Sequence, residues 1–162
     1  MTVTPPPTQA GFLTFIRNVM GINTTVLPDS SPVIGTAFQV ALEIVSVLLN
    51  CASPVMYTLA VYNLAGDNLL NYAQDLPDAE VVPGSGDPGL PFFAWTRKQW
   101  DLNGFISGVI SATYDQGTGN TMVVQEAAKM FTLSDLQNLK TPYGRQYLAI
   151  AQRAGPTIIG VS

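Results

Sequence analysis

The sequence predicts a mainly α protein: a small helical bundle with an inserted β-hairpin and an extended C-terminal tail. Three observations lead there. Ser31-Pro32, Ser53-Pro54 and Thr141-Pro142 each place an oxygen-bearing cap before a proline at the first helical position, where the missing N–H is harmless. Apolar residues then recur at spacings of three and four, the period of one helical face. Residues 105–126 read instead as strands, with β-branched and aromatic residues on either side of Asp115-Gln-Gly-Thr-Gly-Asn120.

Taken in order, the first helix is expected over residues 8–20, after Pro5-Pro6-Pro7, with Phe12, Phe15, Ile16 and Val19 on one side. Ser31-Pro32 opens a helix to about Leu49, burying Ile34, Phe38, Leu42, Val45 and Leu49. Its apolar run contains Gln39, Glu43 and Ser46, so it reads as a buried helix and not as a membrane span. Ser53-Pro54 opens the next helix, through Tyr57, Val61, Leu64 and Leu69 to about Asp75, before Leu76-Pro77 stops it. Residues 77–104 are an irregular excursion, punctuated by Pro83, Gly84, Gly86, Pro88, Gly89 and Pro91. After the hairpin of 105–126, helices occupy 132–154. The first is short, over 133–139, capped by Thr132 or Ser134 with Asp135 as cap partner. The second opens at Thr141-Pro142, carries Tyr143, Tyr147, Leu148 and Ile150, and ends at Gly155-Pro156. Residues 156–162 form the tail. The 162 residues make a single domain, a length that buries about 70% of the unfolded surface.

Composition narrows the function. Charged residues are 11% against a usual share of about 25%, and mean hydropathy is +0.24. A surface so short of charge exposes apolar or neutral patches, which mark docking sites for other chains. The net charge of −4 and a pI near 4.4 argue against a basic nucleic-acid-binding surface. The segment MTVTPPPTQAG has neither a basic nor an apolar signal region, so no secretory signal is expected. Cys51, the lone cysteine, makes no internal disulfide and reads as a small buried hydrophobe.

Chemistry is marked by absences. Without histidine, neither a Ser-His-Asp nor a Cys-His machine can be built, and one cysteine cannot hold zinc. No metal or cofactor is expected, and Gly84-Ser-Gly86 lacks the strand–turn–helix context of a phosphate loop. Asn23-Thr24-Thr25 matches a glycosylation acceptor by chance. A carboxylate pair is the remaining route to catalysis, with Glu43, Asp67, Asp101 and Asp115 as its members, although solvation, capping or ion pairing is the usual role of such residues. The aromatic cluster Phe92, Phe93, Trp95 and Trp100 suits an anchor into the core or a neighbouring subunit better than a ligand pocket. The β-branched Thr157, Ile158, Ile159 and Val161 suit a tail that adds as a strand to another chain, with folding back onto its own bundle as the alternative.

The chain runs from the amphipathic first helix and the Ser-Pro helix through Tyr57-Thr-Leu-Ala-Val-Tyr-Asn-Leu-Ala-Gly66 and Ser107-Gly-Val-Ile-Ser-Ala-Thr-Tyr114 to Leu139-Lys-Thr-Pro-Tyr-Gly-Arg-Gln-Tyr-Leu148. In this order of segments it resembles the head-tail connector, or adaptor, proteins of the tailed-bacteriophage neck, most specifically in Thr141-Pro142-Tyr143-Gly144-Arg145-Gln146-Tyr147-Leu148. The 77–100 excursion departs from the family pattern. What the resemblance implies is an adaptor-like virion protein, made in the host cytoplasm and not an enzyme. It would assemble as a homo-oligomeric, dodecameric ring on the portal protein, with stopper or tail proteins below. Genomic DNA would pass along the channel without sequence-specific binding, and no membrane is involved. The interface residues are then Phe92, Phe93, Trp95, Trp100, Ile158, Ile159 and Val161. Another neck or tail-terminator ring protein, or a carboxylate-dependent cell-wall hydrolase using Glu43 or Asp67, are the alternatives.

Overall fold

A computed structural model describes residues 6–84, 89–104, 112–115, 118–121 and 133–153. Among them are seven helices: α1 (Gln9–Asn18), α2 (Pro32–Ile44), α3 (Leu48–Ala52), α4 (Pro54–Tyr72), α5 (Phe92–Gln99), α6 (Leu133–Asn138) and α7 (Pro142–Arg153). The mainly α class therefore holds.

The local cap chemistry explains most of the starts. The Thr8 hydroxyl accepts the Gly11 N–H at 3.1 Å, the Ser53 hydroxyl that of Met56 at 3.4 Å, and the Thr141 hydroxyl that of Gly144 at 2.8 Å. Ser31 precedes Pro32 as expected but makes no such bond. The helix opened by Pro32 does not run to Leu49. It ends at Ile44, Val45 turns extended, and the chain restarts as α3. Ser46 explains the break, because its hydroxyl accepts the Leu48 N–H at 3.3 Å and competes with helical pairing there. Val45 and Leu49 stay buried across the turn.

Helix α4 is the axis. It packs against α1, α2, α3, α5 and α7, most extensively against α2 and α7, and Val61, Ala65 and Leu69 have no exposure at all. Phe12, Ile16, Ile34, Phe38 and Val61 form one apolar cluster with them. Phe12, Phe15, Phe38 and Tyr62 bring their rings together at centroid distances of 5.9–6.4 Å.

Residues 77–104 are more regular than expected, because α5 lies within them. The N–H groups of Phe93 and Ala94 donate to the Asp75 carboxylate at 2.8 and 2.9 Å, so a side chain upstream of the loop caps the helix. Arg97 returns the service by donating to Ala73 O at 2.6 Å, at the C-terminal end of α4. Two helix ends thus satisfy each other, a reciprocity that no local spacing reveals.

The hairpin expected over 105–126 is not supported as such. The described part is a four-residue antiparallel pairing, β1 (Ala112–Asp115) with β2 (Thr118–Thr121), and the rest of 105–126 lies outside the described residues. Thr132, one of the two expected caps of α6, lies outside them as well, and so does the tail with Ile158, Ile159 and Val161. Ser134 falls inside α6 instead of before it.

Candidate functional site

Two features stand apart from ordinary bundle packing. The first is an apolar ridge. Between Asp29 and Asp67 the sequence has one charged residue, Glu43. Along this stretch Val40, Ile44, Val47, Leu48, Val55 and Leu59 are exposed, with Val47 67% accessible. They belong to consecutive elements, the C-terminal half of α2, the turn, α3 and the N-terminal half of α4. Cys51 is exposed on α3, which corrects the expectation that it is buried: α3 turns Leu49 inward.

The second feature is a buried polar joint between α4 and α7. Asp67 is 2% exposed in the middle of α4. One carboxylate oxygen accepts a hydrogen bond from the Thr141 hydroxyl and the other accepts from Asn71 at 3.2 Å. The same Thr141 hydroxyl oxygen accepts the Gly144 N–H, so one side chain caps α7 and ties it to α4. Burial is the main cause that pushes the Asp67 carboxyl up to about 6, and the Thr141 and Asn71 bonds oppose it. Next to this joint, Gly144 lets α7 pass close to the end of α6, since a Cβ there would lie 2.1 Å from the Asn138 carbonyl oxygen. Burial also raises the Tyr143 and Tyr147 phenols on α7, with Asp135 adding to the effect at Tyr147.

The carboxylates singled out for catalysis sit on different elements. Glu43 is exposed on α2, whereas Asp67 is buried with both oxygens accepting. Asp101 takes a left-handed backbone conformation, φ 48°, in the turn whose carbonyls receive the Lys140 ammonium. Asp115 ends β1. No group of three potential metal-binding side chains occurs among the described residues. The Asn23 carbonyl accepts from the Thr25 hydroxyl at 2.7 Å and the Val26 N–H at 2.9 Å, which gives Asn23-Thr24-Thr25 a turn-forming role.

The aromatic cluster divides. Phe93 is fully buried and joins the core, so it cannot face a partner; α5 turns it inward beneath the Asp75 cap. Phe92, Trp95 and Trp100 are half-buried and line one cavity of about 260 Å3 together with Tyr143. The ridge, Asp67 as a buried joint and the α5 cap were missed in the sequence reading. The near absence of charge from 30 to 66 was the available signal for the ridge.

No helix among the described residues is long and apolar enough to cross a membrane. Compared with known proteins, the chain matches no family model, no curated protein and no solved structure.

Proposed function

We propose that this chain is a structural protein of the tailed-phage neck, an adaptor ring that docks on the portal, extends the DNA channel and joins head to tail. The observation that carries the reading is the exposed apolar ridge on α2, α3 and α4, in a stretch with a single charged residue. Surface of this kind is stable in water when another chain covers it. The resemblance centred on Thr141-Pro142-Tyr143-Gly144-Arg145-Gln146-Tyr147-Leu148 supplies the identity of the assembly. A core built on the packing of α4 against α7 would suit a ring subunit. The acidic balance of −4 per copy is compatible with a channel that lets DNA slide. Trp95 and Trp100 retain exposed ring surface for a portal or subunit contact, and the tail with Ile158, Ile159 and Val161 would add as a strand to the same partners.

Sedimentation velocity tests this. The chain alone should run as a monomer or weak oligomer and co-sediment with purified portal rings. Trp95→Ala should reduce that co-sedimentation while leaving a cooperative thermal transition. Stable closed rings without portal would point to a tail-terminator instead, and a chain that ignores portal would defeat the adaptor reading.

A further inference from the structure

We propose that the open cavity between α4, the 101–104 turn and α6 binds a neutral polyhydroxylated ligand with the chemistry of a single sugar ring. The cavity measures about 570 Å3. Five of its lining residues carry carboxamides: Asn68, Asn71, Asn103, Gln137 and Asn138. Carboxamides offer donors and acceptors together without charge, the pairing that vicinal hydroxyl groups require. The one carboxylate among the described lining residues is Asp67, and both of its oxygens already accept within the protein. An anion finds no cation there, and a metal ion finds no cluster of ligands among the described residues.

Two further observations point to a ligand. The Asn68 side-chain nitrogen is buried and has no hydrogen-bond partner among the described residues, a costly state that a ligand oxygen would relieve once the carboxamide turns toward the cavity. Beside it Tyr72 is 73% exposed, an unusual position for an aromatic ring on a bundle. Asn68 and Tyr72 also line the apolar groove formed with Pro32, Val33 and Val40. These two residues therefore separate a polar cavity from an apolar strip. A sugar ring has the matching two-sided character, with hydroxyl groups at its edge for the carboxamides and a C–H face for the tyrosine ring.

The site is independent of the neck reading, and either can fail alone. The test is titration of the isotopically labelled full chain with glucose, galactose and N-acetylglucosamine, following side-chain amide resonances by NMR. A small ligand in an open site binds with a dissociation constant of roughly a millimolar. The Asn68 and Asn103 amide signals should shift with at least one sugar. Tyr72→Ala and Asn103→Ala, both at exposed positions, should weaken binding about tenfold or more with the backbone spectrum retained. No shift with any of the three sugars overturns the proposal. So do shifts that survive both substitutions, or a response to a capped dipeptide in place of the sugars.

Discussion

Helix α4 has two working sides that are built in different ways. Toward α1 and α2 it presents Val61, Ala65 and Leu69 to Phe12, Ile34 and Phe38, a seam closed by apolar side chains. Toward α7 it presents Asp67 to Thr141, whose hydroxyl donates to the carboxylate while accepting the Gly144 N–H. Apolar burial is tolerant, because dispersion and transfer terms scale smoothly with the area covered. A buried polar joint is intolerant, because each donor or acceptor left unmatched keeps its desolvation penalty. The polar side should therefore respond to single changes more steeply than the apolar side, and it alone should respond to pH.

The largest effect is expected at Gly144. A methyl group there meets backbone at Asn138, which cannot swing aside as a side chain would. Gly144→Ala should cost about 3 kcal/mol or more and push α7 away from α6, disturbing the neighbouring Thr141–Asp67 contact with it, read as a lowered urea midpoint and lost amide protection in α7. Thr141→Val comes next. It leaves the Gly144 N–H without its acceptor and an Asp67 oxygen without its donor, for a loss of about 2–4 kcal/mol in chemical denaturation.

Asp67 provides the pH signature. Its carboxyl is raised from 3.8 to about 6, so the folded state holds the proton more tightly than the unfolded chain does. This group's stabilising contribution is full below about pH 3.8 and is lost as the pH rises through about 6, a span worth about 3 kcal/mol. Asp67→Asn cannot titrate, and its carbonyl still accepts from Thr141. The variant should melt higher than the parent near about pH 7.5, and that advantage should disappear by about pH 4.5. A constant difference across this range would show that the joint does not titrate. The smallest effect is expected on the apolar seam, where Ile34→Val should cost about 1 kcal/mol with no pH dependence of its own.

The same division governs what the sequence discloses. The starts of α2, α4 and α7 are legible because their signals, a hydroxyl residue followed by proline, are adjacent in the chain. Ile34, Phe38, Val61 and Leu69 are legible because a helical period exposes a core face. Asp67 is not, because Thr141 lies 74 residues away and an isolated aspartate on a helix reads as solvated. Helix α5 is hidden for the same reason: its cap is Asp75, 18 residues before Phe93, across a stretch dense in proline and glycine. Phe93 looked like a partner contact beside Phe92 because neighbouring aromatics in a loop carry no phase, and the helix supplies the phase that turns Phe93 inward. The end of α2 was misplaced because Ser46 interrupts the backbone pattern while Val45 and Leu49 keep the apolar period intact.

The central proposal is that the exposed ridge and the half-buried aromatics meet other chains of a phage neck. Electron microscopy of the purified chain mixed with the portal protein that the proposed neck role requires tests it most directly. The account predicts a closed ring of added density on the portal, continuous with its channel. Bare portals beside free monomers, at concentrations where the chain is folded, would contradict it.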